Sequence, residues 1–248
     1  MTANGGLLAL AAVSGLALGS YAVTAGVRLS RAETSHAGRS HCDYCDAPLS
    51  YLQTVPVISY LRAGGICAVC GARIDPIHLA GELAGATVLV TAIATGAPLR
   101  AALMAIIGLC LVAEVAVDAK VQRLPNRLTL AVALGGATLS ALSGWMALGM
   151  GLLAALASGA ILLQLRRSFA RRRGDPGLGL GDVKLISALA LWLGVATPLM
   201  VLGAAVLGLA ASLLVRPARQ RTPFGPMIAA SGWALGVALE QGWRPWAV

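Results

Sequence analysis

Residues 99–127 read LRAALMAIIGLCLVAEVAVDAKVQRLPNR. The first part is an apolar run interrupted only by Arg100 and Glu114. From Asp118 onward the chain turns abruptly polar, with Lys120, Arg123, Asn126 and Arg127 in quick succession. A helix needs about 20 apolar residues to cross the hydrocarbon core of a bilayer, so the stretch reads as a transmembrane span with a charged mouth. The same ruler gives eight spans, at 7–27, 78–96, 99–117, 128–143, 145–165, 183–195, 198–215 and 224–239. Composition agrees. The chain has 248 residues, 58% hydrophobic and 12% charged, with mean hydropathy +0.79, whereas soluble domains carry about a quarter charged residues. Glycine is frequent, as in membrane helices that pack through small residues. The expected fold is an all-α transmembrane bundle with one polar loop, and a large soluble domain is excluded.

Basic residues test the span count. With the amino terminus outside, four connections face the cytoplasm. They hold Arg28, Arg31, Arg39, Arg62 and Arg73; then Lys120, Arg123 and Arg127; then Arg166, Arg167, Arg171, Arg172, Arg173 and Lys184; then Arg216, Arg219 and Arg221. Only Arg100 and Arg244 fall elsewhere among the 19 basic residues. This alternation is the positive-inside pattern, and it predicts both termini outside an inner membrane. The net charge of +9 is therefore a topology signal. No basic stripe is interleaved with aromatics, so nucleic acid is excluded as a partner, and membrane lipid is expected. The first apolar run has no basic residues before it and exceeds a signal-peptide core of about 7–15 residues, so it is expected to remain as a span. The chain divides into a first span (1–27), a cytoplasmic loop (28–77) and a membrane core (78–248). No internal repeat stands out.

The loop carries Cys42-Asp43-Tyr44-Cys45 and Cys67-Ala68-Val69-Cys70. Each Cys-x-x-Cys turn aims two thiolates at one point, and two such turns complete a tetrahedron around zinc. Gly71 suits the tight turn of such a knuckle. In a reducing cytoplasm zinc is favoured over disulfides, and a redox role lacks the βαβ context. Cys42, Cys45, Cys67 and Cys70 would fill the coordination sphere, so the metal is expected to be structural and to staple a loop too poor in apolar residues to fold alone. His36 and His41 lie close to the first pair; either a ligand role or simple solvation fits them. Cys110 reads as a buried small hydrophobe.

Glu33, Asp43, Asp46, Asp75 and Asp175 fall in polar loops and invite no special role, and Glu240 closes the last span. Glu82, Glu114, Asp118 and Asp182 lie in or beside spans, where a carboxylate points to function. Asp118 and Asp182 both fall at cytoplasmic span ends, at similar depth and within reach of water. Two carboxylates at close range do not both ionise easily. One can then activate water while the other protonates a leaving amine, which is what peptide hydrolysis requires. Gly177, Gly179 and Gly181 let the chain pass close to another backbone, where a peptide could lie as an added strand. The bland alternative pairs each aspartate with Lys120 or Lys184. Glu114, at i−4 from Asp118, shares its helix face and is expected to tune it; Glu82 is expected to meet a basic loop residue or line a pocket.

In this order the motifs resemble the type IV prepilin leader peptidases, also called prepilin peptidase/N-methyltransferases, which are polytopic aspartic peptidases of the GxGD type. Leu18-Gly19-Ser20-Tyr21 resembles the small-residue motif of their first span. The four cysteines with Val55-Pro56-Val57-Ile58-Ser59-Tyr60-Leu61 resemble their zinc loop. Asp118 with Leu124-Pro125-Asn126 resembles the first catalytic motif, and Gly179-Leu180-Gly181-Asp182-Val183-Lys184 the second. Pro223-Phe224-Gly225-Pro226 resembles the turn that opens the last span. The resemblance implies that Asp118 and Asp182 are catalytic, supported by Gly179, Gly181 and Lys184. It also implies that the substrate is a type IV prepilin or pseudopilin-like protein, cut after a glycine that ends a basic leader, and that the new amino terminus is often methylated from S-adenosylmethionine. The sequence departs from the pattern at Val23, where an Asn is usual, and at Ile77-His78-Leu79, where Arg-Tyr-Pro is usual. Both departures lie by the loop, so they bear on methylation rather than on cleavage. The competing class is a transporter with a zinc-stapled loop, but transport sites sit near the midplane and these aspartates sit at span ends.

Overall fold

The computed structural model of the chain describes residues 5–30, 40–174, 177–214 and 223–243. Arg31, Glu33, His36, Arg39, Asp175, Arg216, Arg219, Arg221 and Arg244 lie outside the described residues. The described chain is helical: α1 (Gly5–Ser30), α2 (Ile58–Arg62), α3 (Pro76–Ile93), α4 (Pro98–Val121), α5 (Asn126–Leu142), α6 (Trp145–Arg173), α7 (Leu180–Leu193), α8 (Thr197–Leu214) and α9 (Gly225–Glu240). Its only strand-like pairing among the described residues is two isolated bridges in the loop. Eight long helices stand at the eight expected positions. Helices α1, α3, α4 and α6, and the stretch Leu180–Leu214 that holds α7 and α8, are each long and apolar enough to cross a membrane. The chain is a membrane protein.

Local chemistry sets the helix ends. Asp75 caps α3 by accepting the Ile77 N–H at 2.9 Å, with Pro76 in the first turn, where its missing N–H costs nothing. Gln122, at φ +51, closes α4, and Gly174, at φ +73, closes α6. At Gly194 (φ +53) the chain reverses: Gly232 of α9 meets Leu189 of α7 and Met200 of α8, and Gly208 of α8 meets Phe224 at the start of α9, so α8 runs back along α9, antiparallel to α7.

Contacts between helices define two ends. At the far end, Arg100 Nη1 donates to Glu240 Oε2 at 2.8 Å and Arg100 Nη2 to Ser143 Oγ at 2.9 Å, while Trp192 Nε1 donates to Glu240 Oε1 at 3.1 Å. One carboxylate thus ties the outer turns of α4, α7 and α9, and Arg100 extends the tie to the end of α5. Glu240, which invited no role from its sequence position, is a part-buried clamp. At the opposite end, called the loop end below, lie Asp118, Asp182 and residues 40–75. Helix α9 has only 16 residues yet runs from Asp118 to Arg100, the same two ends that α4 joins. The short α5 likewise runs from Lys184 at Asn126 to Arg100 at Ser143.

The helices approach closely where glycines face each other. Gly15 and Gly19 on α1 meet Gly85 and Gly81 on α3, and a Cβ on Gly19 would strike the Gly81 carbonyl. This small-xxx-small stripe on both helices brings the backbones together without a large side chain between them. By contrast α6 buries only Gly151, against Leu191 of α7, and leaves large apolar side chains such as Leu153, Leu156 and Ile161 exposed. Two spans run further than the sequence suggested. Helix α6 continues to Arg173, and α4 continues past Val117 to Val121, which places Asp118 inside the last turns of a helix rather than beyond it.

Candidate functional site

The loop is built from two matching knuckles. In the first, Cys42 N–H donates to Ala47 O, Asp46 N–H to Cys42 O and Leu49 N–H to Ser40 O; in the second, Cys67 N–H donates to Ala72 O, Gly71 N–H to Cys67 O and Ile74 N–H to Gly65 O. Each follows its second cysteine with a left-handed residue, Asp46 (φ +54) and Gly71 (φ +72), and each is closed by one bridge, His41 to Pro48 and Ile66 to Arg73. A short repeat is therefore present, hidden in sequence because only the cysteines and the following alanine coincide. The four Sγ atoms all lie within 4.8 Å of one another, with Cys42 and Cys70 at 3.9 Å. Backbone N–H groups of Cys70 and Val69 bring the Cys67 thiol down to about 6. Four thiols converging on one point fit a tetrahedral metal. His41 is not part of this set and sits 3.8 Å from Asp46.

The knuckles are joined to the helices by carboxylates. Lys120, two residues after Asp118, donates to Asp43 Oδ2 at 3.0 Å and lies 3.6 Å from Asp75 Oδ2; His78 Nε2 is 3.5 Å from Asp43 Oδ2. The His78 ring, with Lys120 beside it, holds the Asp43 carboxyl well below the usual carboxylate range. Asp43 and Asp75 are thus not idle loop charges. Asp75 followed by Pro76 was a readable cap signal; the partners of Asp43 had none. Glu82 is buried, and none of the ion pairs among the described residues involves it. It accepts from Ser20 Oγ at 3.0 Å and from the Val57 N–H at 2.7 Å. Val57 holds φ +62, a conformation costly for a β-branched residue, and Glu82 anchors it there. Glu82 and Ser20 line a cavity of about 240 Å³ between loop and helices that also receives Thr24, Tyr60 and Lys120.

Asp118 and Asp182 come to the loop end from different helices. Asp118 is 6% exposed and accepts the Gly225 N–H through Oδ2 at 2.9 Å. A side chain at Gly225 would displace that carboxylate, which is why glycine stands there. Asp182 lies in the first turn of α7, accepts a hydrogen bond from the Gly179 backbone and is close enough to Asp118 for the two charges to act on each other. Gly181 packs against Leu124, where a Cβ would already be tight, and Lys184 Nζ donates to Asn126 Oδ1 at 3.0 Å. The Gly-x-Gly-Asp turn and Leu124-Pro125-Asn126 therefore interlock. Of the three glycines, Gly177 has a conformational reason (φ +67, open space around it); Gly179 and Gly181 have proximity reasons. Neither lysine pairs with these aspartates among the described ion pairs: Lys120 is engaged by Asp43 and Asp75, and Lys184 by Asn126.

Glu114, fully buried one turn above Asp118, accepts from Thr129 Oγ1 at 2.6 Å, while its Oε2 has no partner among the described residues. Gly225 and Thr129 were not singled out as site residues. The signal for Gly225 was its place in a Pro-x-Gly-Pro turn; Thr129 offered none.

Comparison with known proteins follows the same motifs. Residues 13–95 match the model of the Bacterial Peptidase A24 N-terminal domain, and residues 103–213 that of the Type IV leader peptidase family. The chain is 34% identical to a "Prepilin leader peptidase/N-methyltransferase" of Bacillus subtilis (strain 168), covering 90% of this chain and 91% of that protein. A protein of the same name from Aeromonas hydrophila is 34% identical, covering 79% of this chain and 70% of that protein. One from Burkholderia pseudomallei (strain K96243) is 37% identical, over 79% and 66%. No solved structure matches the chain. With relatives this similar along almost its full length, the chain belongs to the type IV leader peptidase family.

Proposed function

We propose that this chain is a membrane aspartic endopeptidase that removes the basic leader of a type IV prepilin or pseudopilin-like protein after a glycine, with Asp118 and Asp182 as its catalytic pair. The observation that carries this reading is the convergence of the two carboxylates at one end of the bundle, each touched by a glycine backbone and each within the other's field. Both sit near the loop end of their helices, so the bond to be cut lies at the edge of the bundle while the apolar part of a substrate stays among helices. One carboxylate takes a proton from water, and the other gives one to the leaving amine. The pair shares its protons, so no separate role is assigned to either. Lys184 and Gly181 hold the Asp182 turn against Asn126 and Leu124, and Glu114 sits behind Asp118. A transport role is disfavoured because the aspartates lie at a bundle end, away from the middle of the spans.

The loop end faces the cytoplasm of an inner membrane in this reading, supported by the charge pattern of the connections. Residues 28–77 then form the cytoplasmic unit between a first span (1–27) and the peptidase core (78–248). Cys42, Cys45, Cys67 and Cys70 would hold zinc, whose chemistry there is a structural cross-link with no open position for water. The methyl-transfer half of the relatives' name carries over as a second step from S-adenosylmethionine. The polar cavity by the loop, with the hydroxyls of Ser20, Thr24 and Tyr60, is where a small polar donor fits. The departures from the family pattern surround it: His78 lines it, and Val23 packs on Gly81 behind it.

The test is cleavage of a prepilin-like substrate in detergent, followed by intact mass. Asp118→Asn and Asp182→Asn keep shape and remove the titrating proton. Either change should abolish nearly all turnover, because members of one catalytic unit are not additive; Glu114→Gln should be milder. Substantial turnover by either Asn variant, folded and metal-loaded, would sink the mechanism. Mature product heavier by one methyl reports the second step, and a free amine shows a peptidase alone.

A further inference from the structure

Residues 51–61, which connect the two knuckles, carry their polarity inside out. Gln53, Thr54, Ser59 and Tyr60 line the polar cavity between loop and helices. None of the four other large apolar or aromatic side chains at 51, 52, 58 and 61 lines it. Instead Tyr51 is 82% exposed, Leu52 76%, Ile58 53% and Leu61 67%. A stretch that turns its polar groups inward and its apolar groups outward is built to be covered.

The depth of the stretch indicates by what. It is pinned at its middle, where the Val57 N–H donates to Glu82 Oε2 at 2.7 Å and Ser20 Oγ donates to the other oxygen of that carboxylate at 3.0 Å. Helix α3 has 18 residues, about 27 Å, so all of it is needed to cross a hydrocarbon core of about 30 Å. Glu82 lies about 9 Å along it from Pro76, and Ser20 about 15 Å from the end of α1 at Ser30. Even with the glutamate reaching back toward Pro76, Val57 is held about one turn inside the start of α3. On the spans themselves, Tyr21 beside Ser20 and Leu83 beside Glu82 are exposed, so lipid-facing surface is present at the same level. Ile58 and Leu61 follow Val57 directly.

We infer that residues 51–61 lie in the surface layer of the membrane at the loop end, with Tyr51, Leu52, Ile58 and Leu61 among the headgroups and the upper acyl chains. Arg62, exposed next to Leu61, reaches the phosphates. Lipid is the occupant because the stretch is tethered at the depth of the spans. A stable protein interface takes about 20 residues a side, and four apolar side chains do not make one. The loop is then fastened to the bilayer as well as to the helices, and the cavity beneath it is held at the membrane surface.

The test uses the full chain in nanodiscs of phosphatidylcholine and phosphatidylglycerol. A fluorescent amino acid replaces Leu52 or Leu61, with reference positions at Ile161, exposed on the apolar part of α6, and at Arg171, exposed near its charged end. A nitroxide near the headgroup end of an acyl chain should quench the probes at Leu52 and Leu61 at least about half as strongly as at Ile161, as for side chains seated at the acyl boundary. Iodide in the water should quench them several-fold less than at Arg171. Iodide quenching equal to that at Arg171, with none by the lipid nitroxide, overturns the inference. Protection from iodide that arises only when a prepilin-like protein is added also overturns it, and makes the patch a substrate surface. A second variant asks whether the apolar side chains do the seating. With Leu52→Glu and Leu61→Glu in place, a probe at Ile58 should lose most of its lipid quenching, because a carboxylate is strongly disfavoured among acyl chains, while the thermal midpoint in detergent stays that of the wild type. Unchanged lipid quenching at Ile58 in that variant overturns the inference as well. None of these readouts depends on catalysis.

Discussion

The loop and the membrane core hold their shapes by different physics. Between residues 40 and 75 only Gly65 is buried; the two knuckles are thin turns with no apolar interior. In α4, by contrast, a continuous face from Met104 to Asp118 is buried against its neighbours, and α1 and α3 meet backbone to backbone through glycines. The loop therefore depends on its four thiols, because it cannot remove enough apolar surface from water to offset the entropy of ordering. The core depends on fit. The two regions are joined at few points: Lys120 on Asp43 and Asp75, His78 on Asp43, and Glu82 on Val57. All of these junctions lie on the side of the bundle where the aspartates sit.

That contrast can be broken from either side. The largest effect should come from Cys45→Ser. Metal binding by a four-thiolate site of this kind supplies about 10 kcal/mol or more of local folding free energy. Metal content should drop to background, and limited proteolysis should open residues 40–75, while the helices stay resistant. Unchanged metal content would remove the four-cysteine site.

Next in size is Gly81→Leu, which strikes Val23 and the α1 backbone. Overpacking at a backbone contact should cost about 3 kcal/mol. It should lower the thermal midpoint of the detergent-solubilised protein with its metal retained, the reverse of the cysteine variant. A midpoint within a degree or two of the wild type would show that α1 and α3 do not meet there.

The smallest and sharpest is Lys120→Met, which removes the α4 junction, leaves those of His78 and Glu82 in place and spares both regions. A part-exposed ion pair contributes about 1 kcal/mol or less, so kcat should fall by no more than about fivefold. Metal content and thermal midpoint should remain those of the wild type, and Asp43→Asn should reproduce the loss. Full activity in both variants would mean that the loop does not brace the end of α4.

The spans, their alternation and the four cysteines were legible in sequence because each is a local property: a run of apolar residues, a cluster of arginines, a fixed short spacing. Asp118 and Asp182 stood out for a related reason, since an acidic residue bordering hydrocarbon is rare. The structure brings these two to one end as that reading expected. What tertiary structure alone decided is which side of each helix looks inward and at what. In a bilayer, lipid-facing and core-facing sides are both apolar, so the periodicity that orients a soluble helix is faint. Nothing in sequence could therefore tell that the Gly225 amide would close on Asp118, that Thr129 would meet Glu114, or that Glu240 would join α4 and α7 to α9. The same holds for Asp43 in the loop, whose partners Lys120 and His78 are distant in sequence. The matching of the knuckles was hidden because backbone hydrogen bonds and left-handed turns at Asp46 and Gly71 repeat there, while most side chains do not.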